Sequence, residues 1–156
     1  MPFVPFHDYF PEIAERETQS ITVFPHDPLG LPAGEYGFLE LYCDEPGCDC
    51  RRVFFYVLCP SREEVQAVIA WGWESVDFYM RWFKYGDHAD AVKLKGPVLN
   101  SGSPATELAP GLLELVRNVL LTDPEYAERI KRHYTMVRER IDRPRKPGKR
   151  RPRMHR

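Results

Sequence analysis

The sequence lacks the features that would place it in a membrane or hold it together by disulfides. No apolar run in its 156 residues approaches the ~20 residues that a membrane-spanning helix needs. The N-terminus has neither a basic region nor a long apolar segment, so no signal peptide is predicted. Four cysteines are too few for a disulfide scaffold. These absences predict a reduced, cytoplasmic protein without membrane contact.

The sequence also lacks the motifs of several common enzyme classes. It contains no GxxxxGK[ST] phosphate loop, no GxGxxG dinucleotide turn, no HExxH zinc helix and no GxSxG nucleophile turn. The Asp87-His88-Ala89-Asp90 segment could serve an acid–base or metal role, but a solvated helix start is the favoured interpretation. The sequence therefore favours a non-enzymatic protein over an enzyme.

What the sequence does contain is a cluster of cysteines within residues 36–59, with the spacing C-x4-C-x-C-x8-C. Residues 38–43 alternate in the manner of a half-buried strand, and the apolar run at 53–58 fits a central strand covered on both faces. Pro46-Gly47 between them favours a turn. The pattern predicts a hairpin that brings Cys43 and Cys50 opposite each other, with Cys48 in the loop above them.

Three thiolates that converge in this way suit Zn²⁺, which binds sulfur ligands in a tetrahedron. The predicted ligands are Cys43, Cys48 and Cys50. Cys59 would lie about 30 Å beyond Cys50 if the intervening strand is extended, so a buried core thiol is its favoured role. The fourth ligand is left open among His26, His88, Asp44, Asp49, Cys59 and water.

Two other states of these cysteines compete with the metal site. Cysteines that flank a hairpin loop can form a disulfide, although nothing in the sequence indicates an oxidising compartment. They can also remain reduced thiols, with Cys43 packed as a small apolar side chain. An iron–sulfur cluster is less favoured than zinc, because the spacing matches neither common ferredoxin pattern.

The remaining pattern predicts an α+β fold, in which an antiparallel sheet of three to four strands from the N-terminal half is covered by C-terminal helices. Further strands are expected at residues 20–24 and 65–73, a helix being the alternative at 65–73. Helices are expected at 76–85 after an N-cap Ser75, at 88–94, from about 108 to about 121, and from Asp123-Pro124 to about 141. Residues 1–17 are predicted to be extended or a short turn, and residues 26–34 and 96–104 to be loops.

Seven aromatic residues between positions 71 and 85 are assigned to the core, because the strand and helix that carry them should pack together. If they were exposed instead, they would offer a surface on which bases or sugars stack, or one that binds a protein partner. They are Trp71, Trp73, Phe78, Tyr79, Trp82, Phe83 and Tyr85.

The charge is distributed unevenly along the chain. Residues 143–156 contain eight lysines and arginines and no acid, whereas residues 1–142 contain 14 basic and 23 acidic side chains. The predicted organisation is one domain over residues 1–142 followed by a disordered basic tail. Such a tail neutralises phosphates and binds nucleic acid without sequence preference, and a solubility tail without a partner is the alternative. The predicted phosphate contacts are Arg143, Arg145, Lys146, Lys149, Arg150, Arg151 and Arg153.

Together these features predict a non-enzymatic zinc-binding accessory protein whose tail contacts nucleic acid. A metal-dependent hydrolase with an open three-thiolate site is the second hypothesis. A protein–protein interaction module that uses the aromatic residues is the third.

Overall fold

Six strands form one antiparallel sheet in the computed structural model, which describes residues 3–143. The strands are β1 (Phe3–Pro5), β2 (Gln19–Val23), β3 (Gly34–Cys43), β4 (Arg52–Leu58), β5 (Ala67–Gly72) and β6 (Val98–Leu99). The sheet order is β1-β3-β4-β5-β6, and β2 pairs with β3 beside β1.

Six helices accompany the sheet within the same residues. They are α1 (Phe6–Tyr9), α2 (Pro11–Glu17), α3 (Val76–Trp82), α4 (His88–Lys95), α5 (Ala109–Leu115) and α6 (Pro124–Asp142). A π-helical turn (Val116–Leu120) continues α5, and its last bond runs from the Leu121 N–H to the Val116 carbonyl at 2.9 Å. None of the helices in this part of the chain combines the length and the apolar character needed to cross a bilayer.

One face of the sheet carries the main hydrophobic core. Side chains at alternate positions of β3, β4 and β5 are buried on this face against α5, the π-helical turn and α6. The central members of this core include Tyr36, Phe38, Phe55, Ile69, Leu112 and Ile130. A smaller cluster of Leu41, Phe54, Val68 and Ala70 lies on the opposite face. The long helix α6 thus lies against the strands that hold the cysteines.

The capping residues read from the sequence are present. The Ser75 hydroxyl accepts a hydrogen bond from the Phe78 N–H at 3.2 Å, and the Asp123 carboxylate accepts one from the Glu125 N–H at 3.0 Å. Asp87 and Asp90 form a reciprocal capping box at the start of α4. The strand expected at residues 65–73 is confirmed over the helix alternative, with β5 spanning Ala67–Gly72.

The structure has more strands than the three to four predicted. Residues 3–17, expected to be extended or a short turn, instead form β1, α1 and α2, and β6 lies within a predicted loop. The short N-terminal elements are held by tertiary packing: Phe6 is 2% exposed and its ring stacks on His133 at 4.0 Å. Pro11 begins α2, where its missing N–H has no intrahelical partner to lose.

The aromatic residues assigned to the core divide into two groups. Tyr79 is fully buried, and Trp71, Trp73 and Trp82 pack against the main core while remaining half-buried. Phe78 is half-buried as well. Phe83 and Tyr85 are 40% and 96% exposed, so the core assignment was wrong for these two. The reason is that α3 ends at Trp82, so that both residues lie in the turn between α3 and α4.

Candidate metal centre

The loop between β3 and β4 brings three cysteine sulfurs together. β3 ends at Cys43, β4 begins at Arg52, and Cys48 and Cys50 lie between them. The sulfur atoms of Cys43, Cys48 and Cys50 all lie within 4.8 Å of one another. Three sulfurs bound to one zinc ion at about 2.3 Å would be roughly 3.8 Å apart. The three cysteines therefore lie close enough to bind a single metal ion.

The loop reaches this arrangement through a tight turn. The Cys48 N–H donates to the Glu45 carbonyl at 3.2 Å, and Gly47 has a φ of +75°. Pro46 precedes it, which is the sequence preference of a type II turn. Arg51 also has a positive φ of +48°, immediately before β4 begins. The chain thereby reverses within eight residues and turns Cys48 back toward the strand ends.

Helix α6 holds the loop from one side. Arg138 donates to the carbonyls of Glu45 and Cys48, both at 2.8 Å, and to the carbonyl of Cys43. The carboxylate of Asp142, one turn further along, accepts the Gly47 N–H at 2.8 Å. These bonds satisfy loop backbone groups that would otherwise lack partners.

Tyr134 completes the contact between α6 and the loop. Its hydroxyl accepts a hydrogen bond from the Arg51 N–H at 3.1 Å, and its ring meets Trp73 edge-on with centroids 5.0 Å apart. Tyr134, Arg138 and Asp142 are spaced four residues apart on one stripe of the helix. The loop is therefore held against a helix that is itself part of the core.

Burial raises the pKa of two of the three cysteines, Cys43 and Cys50. Cys43 and Cys50 are 4% and 3% exposed, and Cys48 is half-buried. Burial raises the pKa of the Cys50 thiol to about 12, with smaller contributions in the same direction from Cys48 and Cys43. Burial also raises the pKa of Cys43, against a hydrogen bond from the Glu45 backbone. A bound cation would reverse this preference, because metal ligation requires thiolates.

The candidates for the fourth ligand do not join the three sulfurs. Within residues 3–143, the group of possible metal ligands consists of these three cysteines only. His26, His88, Asp44, Asp49 and Cys59 are outside it. Asp49 instead forms an ion pair with Arg51 at 2.9 Å, and the Cys59 sulfur lies 3.2 Å from the Ser61 hydroxyl beyond the far end of β4.

All four cysteines are free thiols, so the disulfide alternative is not the state observed. The predicted separation of Cys59 from the other three holds, because β4 is extended over Arg52–Leu58 and places Cys59 at its opposite end.

The predicted nucleic-acid contacts fall almost entirely outside the described part of the chain. Arg143 is the C-cap residue that directly follows α6. Arg145, Lys146, Lys149, Arg150, Arg151 and Arg153 lie beyond residue 143, outside the described residues.

Sequence reasoning missed a second polar cluster, which lies on the core face of the sheet. The buried His133 of α6 bonds to Glu40 of β3 through Nδ1 at 2.6 Å, and to Glu17 through Nε2 at 3.2 Å. The Tyr42 hydroxyl donates to the same oxygen of Glu40 at 2.6 Å. The available clue was the position of Glu40, between the inward-facing Phe38 and Tyr42 of β3.

Comparison of the chain with protein-family models, with curated proteins and with solved structures gives no match. The chemistry of the cysteine site is therefore inferred from its own residues. Three thiols on a loop held by α6, two of them buried and one half-buried, can bind a soft or borderline metal ion, for which thiolate is a preferred ligand.

Proposed function

We propose that this protein is a non-enzymatic zinc-binding accessory protein in which Cys43, Cys48 and Cys50 bind one ion. The observation that carries the proposal is the convergence of three sulfurs from one hairpin within 4.8 Å. Zinc is the favoured ion because it accepts thiolate ligands in a tetrahedron and needs no redox partner. Bound there, it would fix the β3–β4 loop to the end of β3 and make this surface rigid.

The proposal extends to a nucleic-acid partner for residues 143–156. The support is the charge: this segment carries eight basic side chains and no acid. Lysine and arginine side chains bind phosphates and release counterions, which makes affinity fall steeply with salt. The acidic character of residues 1–142 disfavours binding of the same polymer elsewhere on the protein.

Metal analysis of the purified full-length chain tests the zinc site. The expected result is one zinc ion per chain, lost in the triple variant C43S/C48S/C50S. Cys59→Ser is the matched control, because it removes a buried thiol outside the sulfur group, and it should retain the ion. A metal-free wild-type chain with an intact far-UV circular dichroism spectrum would contradict the proposal.

Removal of residues 143–156 tests the tail. The full-length chain is expected to bind a single-stranded oligonucleotide at low salt, with an affinity that falls linearly on a log–log plot against salt. The truncated chain should lose that binding while retaining its metal. An unchanged affinity after truncation would exclude the tail as the binding segment.

A metal-dependent hydrolase is the second candidate. It is favoured by one observation: no fourth side chain among residues 3–143 joins the sulfur group, which would leave a coordination position for water. A cobalt-substituted chain distinguishes the two, since an open position would change its visible spectrum when small anions such as azide or cyanide are added. A spectrum that does not respond supports the non-enzymatic proposal.

A further inference from the structure

Arg138 is the main link between α6 and the cysteine loop. Its guanidinium donates to three loop carbonyls, those of Cys43, Glu45 and Cys48. Two of these belong to residues whose sulfurs form the candidate site. The side chain is only 11% exposed, so the contacts are made largely out of water. A shift of this one guanidinium would move the backbone of two cysteines together.

The charge of the site gives the guanidinium a second role. A divalent ion held by three thiolates carries a net charge of −1, and a buried charge is costly unless a partner offsets it. Asp142 faces the guanidinium at 3.9 Å. Arg52 also borders Cys50, but its Nε is committed to the Leu94 carbonyl at 2.8 Å.

We propose that Arg138 is a positioning residue for the metal: it fixes the backbone of Cys43 and Cys48 and offsets the negative charge left by three thiolates on a divalent ion. This inference rests on the proposed zinc site. It makes α6 part of the metal centre, in the way that outer groups commonly tune the ligands of a metal.

Binding of Zn²⁺ and binding of arsenous acid separate the effect of the Arg138 charge from its effect on position. Zn²⁺ displaces three thiol protons to solvent and leaves a complex of charge −1. Arsenous acid, As(OH)₃, condenses with three thiols: three As–O and three S–H bonds break, three As–S bonds form, the three thiol protons leave with the hydroxyls as three waters, and the complex is neutral. Neither reaction transfers electrons. A cation beside the site should therefore favour zinc but not arsenic.

The experiment uses the full-length metal-free chain and three variants. Zinc affinity is measured by competition with a chromophoric chelator, and arsenite affinity by titration calorimetry. Arg138→Gln removes the charge and most of the contacts. Arg138→Lys keeps the charge but lacks the planar fork that reaches three carbonyls. Arg140→Gln is the control, because Arg140 donates to the Tyr9 carbonyl instead of the loop, at 3.1 Å.

Arg138→Gln is expected to weaken zinc binding by about 10- to 100-fold, and arsenite binding by much less. Arg138→Lys should weaken zinc binding and arsenite binding modestly and equally, and Arg140→Gln should change neither affinity. If Arg138→Gln lowers the zinc and arsenite affinities by the same factor, or leaves the zinc affinity equal to that of the wild type, the proposal is overturned.

Circular dichroism of the metal-free variants establishes that they fold. If Arg138→Gln does not fold, Arg138→Lys carries the test, and a loss there confined to zinc would overturn the proposal. A wild-type chain that binds neither zinc nor arsenite contradicts the proposed zinc site itself. If the wild-type chain binds both, and the Arg138 variants bind both with the same affinities as the wild type, only the role of Arg138 is contradicted.

Discussion

The buried pair of Glu40 and His133 provides a stability prediction in which one substitution has opposite effects in two backgrounds. The Glu40 side chain is 2% exposed and His133 is fully buried, with Oε1 and Nδ1 2.6 Å apart. Tyr42 also donates to this carboxylate. His133→Phe keeps an aromatic ring to stack on Phe6 but removes the two hydrogen bonds of the imidazole, to Glu40 and to Glu17. Glu40→Gln preserves the acceptor for Tyr42 but removes the charge.

The expected magnitudes follow from burial. His133→Phe leaves the Glu40 carboxylate buried without its imidazole partner and should cost about 3–5 kcal/mol. Glu40→Gln alone weakens a charge-assisted hydrogen bond and should cost roughly 1–3 kcal/mol. In the His133→Phe background the same Glu40→Gln change removes an unpaired buried charge. It should then stabilise the protein, so that the double variant is more stable than His133→Phe.

Urea unfolding at neutral pH measures these differences, with m values compared to establish that the unfolding transition is unchanged. Lys131→Gln is the control, since Lys131 and Glu128 form an exposed ion pair at 3.1 Å and such pairs contribute at most about 1 kcal/mol. If Glu40→Gln destabilises both backgrounds by the same amount, the two side chains are energetically independent and the reasoning is refuted.

Two further predictions concern side chains that contact α6 or belong to it. Partial burial raises the pKa of Glu17, but the hydrogen bond and charge of His133, followed by the charge of Arg132, bring it below the ordinary value. This stabilisation is present above the unfolded-state pKa of about 4.3 and is lost as pH falls through the lower folded-state value; Glu17→Gln should therefore flatten the loss of stability in urea titrations below about pH 5. Tyr134→Phe removes the acceptor of the Arg51 N–H and should cost about 1–3 kcal/mol in urea unfolding. The buried hydroxyl of Tyr126 has no partner within the described residues, so Tyr126→Phe should be neutral or stabilising. If Tyr134→Phe and Tyr126→Phe lower the free energy of unfolding equally, the role of the Tyr134 hydroxyl is contradicted.

Local sequence patterns were sufficient for the elements that present the cysteines. The alternation before Cys43, the apolar run after Arg52 and the Pro46-Gly47 turn are properties of neighbouring residues. They predicted a hairpin and the meeting of three sulfurs, which the structure places within 4.8 Å of one another. That no fourth side chain among residues 3–143 joins the three sulfurs could not be predicted, because it depends on which distant segments approach the loop.

The hydrogen bonds by which Arg138 holds the loop could not be predicted from the sequence for the same reason. Arg138 and the Cys48 carbonyl are 90 positions apart in the chain, and an arginine on an amphipathic helix is ordinarily solvated. The N-terminal helices have four and seven residues, too few for a clear helical period. Their stability comes from Phe6 and Glu17 contacting His133, which no local pattern encodes.

X-ray absorption at the zinc edge, measured on the purified full-length chain, tests the central claim most directly. The expected spectrum contains three sulfur neighbours at about 2.3 Å from the metal. This is the coordination that Cys43, Cys48 and Cys50 would supply. A spectrum fitted by nitrogen and oxygen neighbours alone, or a chain without bound zinc, would contradict it.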